Sequence, residues 1–156
     1  MKRRHSVQDV KEVCRKIIKV RPESIFGADF IAGFPTETEE MFLNTINLVK
    51  ECNITMLHVF PYSVRQGTPA AKMPQIPINI IKDRAKVLRE LGASMRKKMF
   101  KKYIGKSVEV LIENESCGYT KNFIKENFDK IQTSKITTFV KILSSNSEGL
   151  IGLANE

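Results

Sequence analysis

A chain of 156 residues and 17.8 kDa can bury one modest core or two small ones. A hydrophobic fraction of 42%, a mean hydropathy of -0.22 and the lack of any apolar run near the roughly 20 residues of a membrane span exclude a helical membrane protein. The basic opening Met1-Lys2-Arg3-Arg4 runs into an amphipathic segment, so no secretory leader is expected and the cytoplasm is the expected location, while 26 Lys and Arg against 17 Asp and Glu, a net charge of +9, favour a polyanionic partner such as nucleic acid.

Ser6 with Asp9 three residues on resembles a capping arrangement, and Val10, Val13, Cys14, Ile17 and Ile18 then repeat at helical spacing up to the break at Arg21-Pro22. The stretch Ser24 to Ala32, apolar and small apart from Asp29, predicts a parallel strand covered on both faces, ended by Gly33-Phe34-Pro35. Thr36 with Glu39 forms a second possible capping box, and Phe42, Ile46 and Val49 line one face of a helix that runs to about Glu51. Asn53 supplies a stop, and Thr55 to Phe60 reads as another buried strand. From Pro61 to Pro77 the prolines and Gly67 indicate a long loop leaving that strand. Pro77 suits the first turn of a third helix, in which Ile81, Ala85, Leu88, Gly92, Met95 and Met99 recur at four and three residues.

The period changes at Tyr103-Ile104-Gly105. Val108, Val110 and Ile112 then point one way, and Ser107, Glu109, Leu111 and Glu113 the other. A domain boundary is expected near Lys102, giving domains 1–101 and 102–156. Further strand-like pieces at Gly118 to Phe123, Ile136 to Leu143 and Gly149 to Leu153 predict a small antiparallel β-barrel, with little strand signal from Lys125 to Ser134. The fold class expected is therefore α/β followed by a small barrel. Two parallel strands rarely make a complete sheet, so the first domain is expected to need further strands from another polypeptide.

Cys14, Cys52 and Cys117 lie dozens of residues apart, and none forms the close pair or triplet of local metal ligation or a redox dithiol; Cys14 and Cys52 read as reduced packing residues on helices. No metal ligand set and no catalytic residue is assigned. His58 reads as a satisfied core or barrel-lining histidine, and Met95 and Met99 as core.

The segment Gly27-Ala28-Asp29-Phe30-Ile31-Ala32-Gly33-Phe34-Pro35-Thr36-Glu37-Thr38-Glu39-Glu40 resembles a late barrel strand and turn of the radical S-adenosylmethionine tRNA methylthiotransferases. His58-Val59-Phe60-Pro61-Tyr62-Ser63-Val64-Arg65-Gln66-Gly67-Thr68-Pro69-Ala70 resembles the next strand and loop, the opening Met1 to Ser6 an internal stretch of the same barrel, and Ser107 to Glu156 the appended TRAM domain. The Gly33 to Thr38 turn and Gly118-Tyr119-Thr120-Lys121-Asn122-Phe123 look most similar to the branch acting on threonylcarbamoyladenosine beside the anticodon.

The resemblance implies a partial (β/α) barrel of the radical S-adenosylmethionine type with both motifs at one mouth. Gly33, Phe34, Pro35, Glu37, Phe60, Tyr62, Arg65 and Arg3 would there contribute to holding S-adenosylmethionine. For Glu37 the plainer reading is an acidic residue beginning a helix, and for Arg65 and Arg3 solvated arginines. Lys106, Tyr119, Lys121 and Phe123 would meet tRNA through stacking and phosphate contacts, beside a stripe of Lys97, Lys98, Lys101 and Lys102. The sequence departs from the family in having no CxxxCxxC motif, so the 4Fe-4S cluster belongs to a missing part of the architecture and the chain is expected to be inactive alone. Three readings follow. One is a piece of an enzyme completed by a separate polypeptide or left by an interrupted gene, another a stand-alone RNA-binding module, and the third a structural adaptor with an exposed parallel edge.

Overall fold

The computed structural model describes residues 4–129 and 136–154. Its contacts divide the chain into two compact units, Met1–Met95 and Arg96–Glu156.

The first unit begins with α1 (Val7–Val20), whose start is fixed by reciprocal bonds: the Ser6 hydroxyl accepts from the Asp9 N–H at 3.2 Å, and the Asp9 carboxylate accepts from the Ser6 N–H at 2.7 Å. Strand β1 (Phe26–Ala32) lies parallel to β2 (Ile54–Pro61), linked by α2 (Glu39–Glu51). Helix α3 (Ile78–Lys101) follows a short 3-10 turn at Pro69–Lys72, starts in this unit and ends in the next.

All three helices cover the same side of the strand pair. Phe42 of α2, and Ala85 and Leu88 of α3, close on Ala32 and Val59; Val49, Cys52 and Ile54 form an adjoining cluster with Val10 and Cys14 of α1 packed against it. Gly92 allows α3 to approach β2, since a Cβ there would sit 3.2 Å from the Leu57 side chain. The register places Asp29 beside His58 and Ile31 beside Phe60 on the opposite side, and all four are exposed. The expectation of strands covered on both faces is thus corrected, and of the two readings of His58, core or barrel-lining, its exposure removes the first. Every helix in the unit uses one face, and two strands offer nothing to close over the other.

The second unit is a closed barrel of β3 (Ser107–Asn114), β4 (Cys117–Thr120), β5 (Lys125–Phe128), β6 (Thr137–Ser145) and β7 (Leu150–Ala154), in the order β3-β4-β5-β7-β6. Four seams are antiparallel and the β5-β7 seam is parallel, so the barrel is mixed where alternation had implied antiparallel pairing throughout. Alternation reveals which face a residue takes but not which strand lies next to it.

Val110, on the apolar side of the alternation in β3, is buried together with Ile124, Phe128, Val140, Ile142 and Leu150. The stretch with little strand signal supplies β5, and its inward positions include Glu126 at 0% exposure. Gly118 is needed for closure, because a Cβ there would fall within 2.3 Å of the Leu111 carbonyl oxygen.

Candidate functional site

The end of β1 is built as a locked turn. Gly33 is buried at φ +75°, and a Cβ would meet Ile81 of α3 at 2.6 Å, so both its backbone angle and its neighbour require glycine. Its N–H donates to Glu37 Oε2 at 2.9 Å, and the Glu37 N–H donates to the Phe34 carbonyl at 2.9 Å. Thr36 takes φ +70° and cannot cap a helix from there; the cap is Thr38, whose hydroxyl accepts from the Met41 N–H at 3.2 Å. The expected Thr36 capping box is corrected accordingly.

Glu37 does not simply begin the helix. Its carboxylate folds back over the turn, where Arg84 Nη1 donates to it at 2.8 Å and to the Glu37 carbonyl at 2.9 Å. Arg84 Nη2 reaches Glu39 at 3.1 Å, and the guanidinium lies 5.3 Å from the centroid of the Phe42 ring. Arg84 is 7% exposed, so these bonds form in a setting where an unpaired charge would be costly. Arg84 was absent from the sequence reading. It stands among polar residues of a basic helix, and its acidic partners lie more than forty residues away in sequence, with no local spacing to join them.

Strand β2 ends against this turn. The Tyr62 N–H donates to the Ala32 carbonyl at 2.8 Å, and the Tyr62 and Phe34 rings meet edge to face at 5.5 Å. The Tyr62 hydroxyl is buried without a hydrogen-bond partner. Arg89 Nη2 holds the Val59 carbonyl at 3.0 Å. A cavity of about 730 Å3 opens beside the turn, lined among others by Asp29, Phe34, Pro35, Thr36 and Glu37. The structure therefore gathers Gly33, Phe34, Pro35, Glu37 and Tyr62. Phe60, 53% exposed, faces the open side of the sheet beside Ile31, and Arg65 is an exposed loop residue whose carbonyl accepts from Thr68. Arg3 lies outside the described residues.

On the barrel, Lys106 is exposed, Tyr119 is half-buried opposite Leu111, and Lys121 Nζ pairs with Glu109 at 2.6 Å. Tyr119, Lys121 and Phe123 do not alternate along one strand, because β4 ends at Thr120. The Thr120 hydroxyl accepts from the N–H groups of Asn122 and Ile124 and tightens a turn that leaves Phe123 at φ +59° and 85% exposed. A bulky residue held out at a positive φ is costly to place and offers a ring for stacking.

Among the described residues no three His, Cys, Asp or Glu side chains gather as a metal ion would require. No helix among them is long and apolar enough to cross a membrane. Cys14 and Cys52, read from the sequence as unpaired, share one cluster and one cavity.

Fold and site define an α/β protein that combines a strand-helix-strand unit carrying a Gly-Phe-Pro turn with a closed five-stranded barrel. No family model matches the chain. Its relatives include the threonylcarbamoyladenosine tRNA methylthiotransferase MtaB of Rickettsia prowazekii, 56% identical over 83% of this chain and 31% of the relative, and that of Aquifex aeolicus, 38% identical over 80% and 30%. The tRNA-2-methylthio-N(6)-dimethylallyladenosine synthase of Bacillus cytotoxicus is 40% identical over 82% of this chain and 27% of the relative. The chain belongs to the tRNA methylthiotransferase family, and it spans about a third of the length of the curated relatives it matches.

Proposed function

We propose that the chain is the C-terminal part of a cytoplasmic tRNA methylthiotransferase acting on threonylcarbamoyladenosine. Residues 1–101 contribute the end of a radical S-adenosylmethionine barrel, and residues 102–156 a TRAM-like RNA-binding domain. The names of the Rickettsia and Aquifex relatives favour this branch over the dimethylallyladenosine one. The observation that carries the reading is the turn itself: Gly33 locked by Glu37 and Arg84 beside a cavity, with a buried Tyr62 hydroxyl left unmatched.

These residues fit part of S-adenosylmethionine, because Phe34 and Pro35 offer apolar surface to an adenosine moiety and Glu37 a carboxylate at the cavity wall. When bound, that cofactor supplies the methyl group and the reactive sulfonium. Arg84 positions Glu37. No three cysteines gather among the described residues as the thiolate ligation of a 4Fe-4S cluster would need, so these residues do not fit one.

The test is to co-express the chain with the remaining part of the Rickettsia relative in cells lacking their own enzyme, and to analyse tRNA nucleosides by mass spectrometry. Methylthiolated threonylcarbamoyladenosine is expected only when both pieces are present. Methylthiolated dimethylallyladenosine in its place overturns the branch, and no methylthio product despite a loaded cluster overturns the reading. A second reading, an RNA-binding module without catalytic duty, is favoured by the closed barrel and exposed Phe123. It requires the chain alone to bind tRNA with an affinity that falls steeply with salt.

A further inference from the structure

Cys14, on the partly uncovered helix α1, and Cys52, at the C-terminal cap of α2, lie far apart in sequence, but folding brings them together. Both contribute to the cluster formed with Val49 and Ile54, and both line a cavity of about 540 Å3 shared with Lys11, Arg15 and Phe26. The Cys14 thiol lies near enough to Cys52 to bear on its titration. Cys52 is buried, whereas Cys14 is half-exposed on the cavity wall, so a small solute reaches Cys14 first. The surroundings are cationic on the α1 side, with Lys11 and Arg15 on the cavity wall and Glu51 paired to Lys11 at 2.6 Å.

We propose that Cys14 and Cys52 are an oxidisable pair that closes to a disulfide, tethering α1 to the end of α2 in response to peroxide. In the first step the Cys14 sulfur attacks the peroxide O–O bond, giving a sulfenic acid on Cys14 and one water. In the second the Cys52 sulfur attacks that of Cys14; the S–S bond forms, the S–O bond breaks, and a second water leaves with the thiol proton. Two thiols lose two electrons in all, and one peroxide is reduced to two waters.

The roles follow from the site. Burial, the neighbouring Cys14 thiol and Glu51 push the Cys52 thiol up to about 11 against the pull of Lys11, which suits Cys52 to be the resolving partner and leaves first attack to Cys14. The consequence is local to α1, which has no fully buried residue of its own and is otherwise attached by half-buried side chains and the Lys11–Glu51 ion pair.

The experiment exposes the reduced full chain to dilute hydrogen peroxide under native conditions, blocks remaining thiols with a maleimide in denaturant, and maps the products by mass spectrometry. The expected result is a loss of about 2 Da, reversed by dithiothreitol, with a linked Cys14–Cys52 peptide. The alkylatable thiols should fall from the three of the reduced chain, leaving Cys117 the one labelled, and the Cys117→Ser chain should still form the link. Chain unfolded in urea before oxidation should lose this selectivity. Three labelled thiols after treatment, oxygen adducts on Cys14 without a linked peptide, or linkages that involve Cys117 equally would each overturn the proposal.

Discussion

The two units solve the problem of an unpaired strand in opposite ways. In the barrel each of the five strands has a neighbour on both sides, and Val110, Val140, Ile142 and Leu150 are sealed inside. In the strand-helix-strand unit each strand has one neighbour, and Ile31 and Phe60 remain in solvent on the face that no helix covers. Closure removes edges, whereas a two-stranded parallel sheet depends on helices alone. The comparison predicts different weak points. The open unit should fail through its few buried anchors, and the closed barrel through whatever its interior holds that is not apolar.

Arg84→Ala is the severest way to break the open unit. It strips the Glu37 carboxylate, itself mostly buried, of its guanidinium partner while the Gly33 N–H still donates to it, and uncovers Phe42. Removing one partner of a buried pair costs about 3–5 kcal/mol, so the variant should unfold this unit at much lower urea while the barrel's transition stays in place. Tyr62 and Phe34 signals read by NMR report the one, and Val140 amide protection the other. A simultaneous loss of both would show that the units are not separate in stability.

The corresponding weakness of the barrel is Glu126, whose two carboxylate oxygens are buried without a hydrogen-bond partner. Burial pushes its carboxyl from 4.5 up to about 7. The folded barrel therefore favours the protonated form. Below about pH 4.5 folded and unfolded chains are both protonated, and the full stability is present. As pH rises towards 7 the unfolded chain ionises first, and stability falls by about 3 kcal/mol before levelling off above pH 7. Glu126→Leu should abolish this slope and raise the barrel's unfolding midpoint at pH 8, as measured by denaturant titration across pH. An unchanged slope in the variant would assign the pH dependence to other groups.

The contrast also marks how far the residues could be read in order. The helices and both parallel strands were legible, because Ile81, Ala85 and Leu88 repeat at helical spacing and Phe26 to Ala32 is a run of apolar and small residues broken only by Asp29. What escaped depended on distant contacts. Arg84 acquires its meaning from Glu37 and Glu39, Cys14 from Cys52, and Lys125–Phe128 becomes a strand because β4 and β7 flank it, although an inward glutamate disrupts the apolar alternation. Within the candidate site the Gly33 to Glu37 turn was found by motif, but the fold-back of Glu37 was not, since its direction is set by an arginine on another helix.

The gentlest probe of the comparison is Ser6→Ala, at the start of the element with the least burial. Here the Ser6 hydroxyl accepts from Asp9, and the Ser6 N–H and hydroxyl both donate to the Asp9 carboxylate, which holds that carboxyl below its ordinary value. Deleting the hydroxyl removes the helix cap but disturbs no core residue. In a unit held by few contacts the effect should stay local: amide exchange across Val7 to Val13 should quicken about fivefold, while Val59 and Leu88 keep their protection. If the whole strand-helix-strand unit exchanged faster instead, α1 would have to be an integral part of its cooperative core rather than a loosely held cover, and the open unit would be more tightly coupled than its exposed face suggests.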